Sequence, residues 1–168
     1  KMEDLDTREA KEARSIAERC VAAQYGTAYS YGIYHDLMIW ESDIVRARLL
    51  EQAMEKVISS GAARKESSGK YAGCTVVDLS AEWLPAELKG MASDAKVLIR
   101  SNGTATYLAK DIAFHMWKLG MLKDSFSYSL VGKQPNGKAL ITTSAEGSER
   151  VHFGGASAAI NVIGSAQS

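Results

Sequence analysis

From Asp6 to Gly32, small and apolar residues recur at helical spacing: Ala10, Ala13, Ile16-Ala17, Cys20-Val21 and Ala28. The period predicts one long helix, opened by Asp6 and Glu9 at capping-box spacing and stopped at Gly32. The pattern then changes to a short continuous apolar run, Leu37-Met38-Ile39-Trp40, which predicts a strand buried on both faces, as in a parallel sheet. Past Glu41, Ser42 or Asp43 is suited to cap a second helix. Its apolar pairs are Ile44-Val45, Leu49-Leu50, Ala53-Met54 and Val57-Ile58, and Gly61 stops it.

Beyond Gly61 the helical period is lost. A polar turn, Glu66 to Lys70, leads to a strand at Cys74-Thr75-Val76-Val77, and a polar link runs from Ser80 to Ala95. Lys96 to Arg100 alternates as a strand, and Ser101-Asn102-Gly103-Thr104 has the residues of a turn. A helix carrying Tyr107, Asp111, Ile112, His115, Met116 and Leu119 ends at Gly120. Phe126, Tyr128 and Leu130 then alternate with polar positions. With the turn at Pro135-Asn136-Gly137 and the run Ala139-Leu140-Ile141 they predict a hairpin. A Gly- and Ser-rich loop over 144–157 precedes a last apolar strand, Ile160 to Ile163. Strands alternating with helices predict an α/β fold with a mostly parallel sheet, and 62–94 and 123–157 read as small β insertions into it. No further domain boundary is indicated within 1–168. Ligands in such folds gather beyond the carboxyl ends of the strands, which singles out Glu41 and Gln167.

Composition narrows the functional classes. Hydrophobic residues make up 46% of the chain, enough for a core. Lys and Arg number 20 against 20 Asp and Glu, so the chain as a whole has no basic footprint for nucleic acid. Cys20 and Cys74 are isolated and lack zinc-site spacing; lone thiols suit a reducing, cytoplasmic compartment. No apolar run reaches membrane-spanning length. The first residue is Lys1, and both ends read as trimmed.

Two places carry candidate chemistry. Glu41, directly after an apolar run, is either a carboxylate favoured by a helix N-terminus or a ligand group at a strand end. Tyr107 and Asp111, four apart, share a helix face. Asp111 there is paired with Lys110 or Lys118, is solvated, or forms a site for a cation with Tyr107 supplying a ring or hydroxyl. A planar guanidinium would suit such a site best. His35, His115 and His152 are scattered, without the order of a catalytic triad. Gly103 and the Gly154-Gly155 pair lie in no phosphate-binding motif.

The run from Val97 through Arg100-Ser101-Asn102-Gly103-Thr104, Tyr107 and Lys110-Asp111-Ile112-Ala113 to His115 resembles the arginyl-tRNA synthetases. So do Tyr34 to Val45 with its Trp40-Glu41-Ser42, Gln134 to Lys138, and Ile160 to Gln167, in the archaeal form of that family. The resemblance implies a fragment of a class I synthetase catalytic domain with a Rossmann-like sheet. It also implies that Glu41, Tyr107 and Asp111 hold the arginine side chain and that Gln167 lies near its α-amino group. The implied parent enzyme uses ATP and Mg2+ to attach L-arginine to its tRNA through an arginyl-adenylate. The HxGH and KMSKS-like segments that handle ATP in that class are not in this chain. The fragment itself is therefore expected to be inactive, to bind no cofactor and to self-associate through exposed sheet edges. The competing reading is a stand-alone arginine- or guanidinium-binding module without catalysis.

Overall fold

The first helix, α1 (Arg8–Ser30), begins at Thr7, whose hydroxyl accepts from the Ala10 amide at 3.2 Å. Its end follows from Gly32. The Gly32 and Ile33 amides donate to the carbonyls of Tyr29 and Ala28, a closure that needs the left-handed φ of 69° found at Gly32. The computed structural model describes residues 7–80, 82 and 95–162. The expected Asp6 cap and most of the Ser80–Ala95 link lie outside the described residues.

The chain divides into two compact units, residues 1–47 with 125–152, and residues 48–124 with 153–168. The first unit contains α1, β1 (Leu37–Met38), α2 (Glu41–Arg46), and the hairpin β5 (Ser127–Lys133) and β6 (Ala139–Ser144). Its sheet has the order β1-β6-β5, with β1 parallel and β5 antiparallel to β6. Ile44, Tyr128, Leu140 and Ile141 form its buried apolar centre. The predicted four-residue strand is only Leu37–Met38. It lies at the edge of the sheet and is half-buried rather than covered on both faces.

The second unit contains α3 (Leu49–Ser59), β2 (Ala63–Lys65), β3 (Thr75–Asp78), β4 (Ala95–Ile99) and α4 (Tyr107–Lys118). Its antiparallel sheet runs β2-β3-β4. The buried faces of α3 (Leu49, Ala53, Met54) and α4 (Ala109, Ala113, Trp117) belong to two helices that pack together, with Leu98 and Val76 buried in the sheet.

Four further expectations need correction. The helix expected over Ile44 to Ile58 is two helices, broken at Ala47-Arg48, where Arg48 adopts φ 56°. The cap of α2 is Trp40, with no side-chain cap bond from Ser42 or Asp43; Asp43 is buried and takes Arg46 as its partner at 2.7 Å instead. The α/β class stands, but among the described strands only β1–β6 is a parallel pair, so a mostly parallel sheet is not what they form. The reason is connection length: the loops between β2 and β3 and between β5 and β6 are too short for a parallel crossover. The last predicted strand is likewise unpaired over its described part. Ile160 and Val162 are 90% and 95% exposed, without a neighbour to complete a ladder.

Candidate functional site

Tyr107 and Asp111 are placed by the turn before α4. Gly103 takes φ 84°, Asn102 accepts from the Thr104 amide at 3.0 Å, and the chain reverses from β4 into the helix. Thr106 then fixes the start of α4. Its hydroxyl donates to the Val97 carbonyl at 2.9 Å and accepts from the Ala109 amide at 3.5 Å, tying the first helical turn to β4. Tyr107 is the first residue of the helix and Asp111 follows one turn later, so the two share a face. Both are exposed, Tyr107 at 78%. Neither side chain has a hydrogen bond or ion pair among the described residues. Lys118, one candidate partner for Asp111, lies over the Phe114 ring at 4.1 Å instead. The described geometry thus presents a phenol and a carboxylate together and open to solvent, an arrangement able to receive a cation.

Glu41 belongs to the other unit. It is the exposed first residue of α2, where the helix dipole favours a carboxylate. Its position is set by Trp40, which is held from three sides. The Trp40 amide donates to Thr143 Oγ1 at 3.1 Å, the indole N–H donates to Thr142 Oγ1 at 3.0 Å, and the Arg14 guanidinium lies 3.7 Å over the ring. Glu41 borders two clefts of this unit. One, of about 380 Å³, has walls from Tyr25, His35, Met38 and Trp40. Burial, and then Tyr29, push the Tyr25 phenol above its ordinary pKa, so it stays neutral there. The other cleft, of about 620 Å³, carries Lys11, Arg14 and Arg46 together with Glu18; Arg14 pairs with Glu18 at 2.9 Å and Arg46 with Asp43 at 2.7 Å. Gln167 lies outside the described residues. The structure therefore brings Tyr107 and Asp111 together on one face of α4 in the second unit, and places Glu41 at the start of α2 in the first unit.

Sequence reading missed the pinning of Trp40 and the buried Gln134 clamp at the hairpin turn. Both depend on partners about a hundred residues away, for which local spacing carries no signal. Among the described residues no group of His, Cys, Asp and Glu side chains could hold a metal ion, and no helix is long and apolar enough to cross a membrane.

Comparison with known proteins fits these observations. An arginine–tRNA ligase of Deinococcus radiodurans is 37% identical over 168 residues, covering 99% of this chain and 27% of that protein. One of Pyrococcus abyssi is 41% identical over 155 residues, covering 92% of the chain and 23% of that protein. The solved Thermus thermophilus arginyl-tRNA synthetase superposes with a TM-score of 0.68 at 40% identity, covering 83% of this chain and 22% of that one. No family model matches the chain. The fold and these relatives define the chain as homologous to aminoacyl-tRNA synthetases. More narrowly, it is homologous to the arginyl-tRNA synthetase family, both archaeal and bacterial members, along one stretch of their sequence. It spans about a quarter of the length of the curated relatives it matches.

Proposed function

We propose that this chain supplies the arginine side-chain pocket of an arginine–tRNA ligase, an ATP-dependent enzyme that charges tRNA through arginyl-adenylate. The observation that carries the reading is homology to arginine–tRNA ligases along nearly the whole chain, in a protein whose Tyr107 and Asp111 are exposed side by side on α4. Asp111 would pair with the guanidinium, whose planar fork matches a carboxylate bidentately. Tyr107 would orient it, Glu41 would add the second negative charge, and Gln167 would face the α-amino group. In this reading the chain is an internal part of a Rossmann-like catalytic domain, and 62–94 and 123–157 are insertions in it.

The chemistry is positioning rather than proton transfer by this stretch. The arginine carboxylate would attack the α-phosphate of ATP, breaking the α–β anhydride bond and releasing pyrophosphate as arginyl-adenylate forms, and anchoring the distant guanidinium would fix the angle of attack. The residues present do not fit ATP or Mg2+, because the chain has no HxGH, KMSKS-like or other phosphate-binding segment. Those partners, and tRNA, are assigned to the remainder of the parent enzyme, which is expected in the cytoplasm.

The test is arginine-dependent ATP–pyrophosphate exchange by the complete enzyme carrying this stretch. Asp111→Asn should raise the KM for arginine roughly ten- to a hundredfold, and Tyr107→Phe roughly three- to tenfold, from the loss of charge-assisted and neutral hydrogen bonds. Glu41→Gln, assayed separately, tests the second carboxylate. An unchanged arginine KM in the Asp111 and Tyr107 variants would remove this assignment. The isolated chain should show no exchange.

A second reading is favoured by the cleft beside Glu41, whose aromatic walls and single carboxylate lie wholly within the first unit. They could stack and neutralise a guanidinium without the rest of an enzyme. Titration calorimetry with arginine on this chain decides between the two. Tight binding abolished by Glu41→Gln supports the stand-alone module; weak or absent binding supports the synthetase reading, since a partial pocket cannot offset the cost of ordering the ligand.

A further inference from the structure

In the second unit, residues 153–161 lie along α4 as a strap. Near the end of the helix, Gly154 (φ 89°) fits so closely that a side-chain carbon there would come within 3.0 Å of the Trp117 carbonyl oxygen. The Ala156 amide donates to the Lys118 carbonyl at 2.8 Å. Farther along, Asn161 meets His115, with Oδ1 2.9 Å from Nε2. The strap thus meets α4 first at 117–118 and then at His115, one turn from Asp111.

His115 also bonds within its own helix. Its Nδ1 lies 2.8 Å from the backbone carbonyl oxygen of Asp111. A carbonyl can only accept, so Nδ1 carries a proton. Nε2 then either accepts from the Asn161 amide, turned about its Cβ–Cγ axis so that its N–H faces the ring, or donates to Oδ1 as part of an imidazolium. In both cases the ring has oxygen or amide partners on both nitrogens, one on the strap and one on the residue whose carboxylate is assigned to arginine. Hydrophobic burial does not hold this part of the strap, because Ile160 and Val162, on either side of Asn161, are 90% and 95% exposed.

We propose that His115 is a positioning residue for the arginine site. It latches the 153–161 strap to α4 through Asn161 and, through the Asp111 carbonyl, steadies the turn that presents the Asp111 carboxylate. This rests on the reading of Tyr107 and Asp111 as arginine ligands.

Two measurements test it. In this chain, long-range 1H–15N spectra of the histidine rings should show Nδ1 of His115 protonated, and Asn161→Ala should shift the Nε2 resonance of that ring alone. In the complete enzyme, His115→Ala and Asn161→Ala should each raise the arginine KM roughly three- to tenfold, as for loss of one or two neutral hydrogen bonds. Turnover and the KM for ATP should stay unchanged, and the double variant should be no worse than His115→Ala, because the two residues form one latch. Asn161 is exposed, so its truncation keeps the test open if His115→Ala fails to fold. Asp111→Ala is the control. If it raises the arginine KM while Asn161→Ala leaves it unchanged, the latch is overturned and the site stands. If Asp111→Ala has no effect, both fall. A proportional loss of turnover and of affinity for both substrates in the latch variants marks a merely structural role and also overturns the inference.

Discussion

Gln134 is a polar side chain in the buried part of the first unit, only 4% exposed, and it justifies its place by what it bonds. Its amide donates to the His35 carbonyl at 2.7 Å, and its carbonyl accepts from the His35 amide at 3.1 Å. It thereby replaces a strand neighbour for the residue that leads toward β1. Gln134→Leu keeps the volume but leaves both His35 groups unpaired. It should lower stability by about 2 kcal/mol, the net worth of two lost hydrogen bonds, measured by chemical denaturation. At the same scale, residue spacing made the Tyr107 and Asp111 pair legible, since positions four apart on a helix must share a face. It could not settle whether Asp111 had a lysine partner, because that depends on rotamers. In the structure Lys118 turns to Phe114. Glu41 was legible as a helix-terminal acid, but the Arg14 and threonine contacts that set its neighbour Trp40 were not.

Among the elements, helices and turns were read better than strands. The ends of α1 and α4 follow from Gly32 and Gly120, whose positive φ values close each helix. The break after α2 was invisible because its left-handed residue is Arg48, and an arginine gives no breaker signal. Strand direction failed for a different reason: apolar runs report burial, whereas loop length decides between parallel and antiparallel pairing. The β2–β3 hairpin also carries an ionic clasp. Asp78 accepts from the Ser80 hydroxyl at 2.6 Å and the Ser80 amide at 2.9 Å, and from Arg64 at 2.9 Å. These bonds, those of Ser80 first, hold its carboxyl down from 3.8 to about 2. A depressed folded-state pKa means that the contribution is present above the unfolded value and is lost as pH falls through the folded one. Thermal melts should therefore show the wild-type chain losing stability between about pH 4 and pH 2 more steeply than Asp78→Asn, the variant starting lower. Parallel curves for the two would refute the clasp.

For the whole molecule, the family was legible from short strings around Tyr107 and Glu41, whose residue types and spacing resemble those of the arginyl-tRNA synthetases. The arrangement into two units was not legible, since each is assembled from segments far apart in sequence. The exposed Ile160 and Val162, together with open edges on both three-stranded sheets, should make the isolated chain associate at high concentration. Light scattering should show oligomers that are reduced by a paired Ile160→Lys and Val162→Lys replacement. A monodisperse monomer in the unsubstituted chain would count against this.

The parallel pairing of Leu37–Met38 with Ile141–Thr142 has a consequence for how the polypeptide matures. The ribosome releases the first partner about a hundred residues before the second, and everything from Arg48 to Asp124 emerges in between. That intervening stretch contains α3, the β2-β3-β4 sheet and α4, which pair and pack with one another. Leu37 and Met38 must wait for their strand partner until β6 emerges. Co-translational order is therefore built into the topology: the middle of the gene product organises first, and the segments flanking it in sequence close their sheet last.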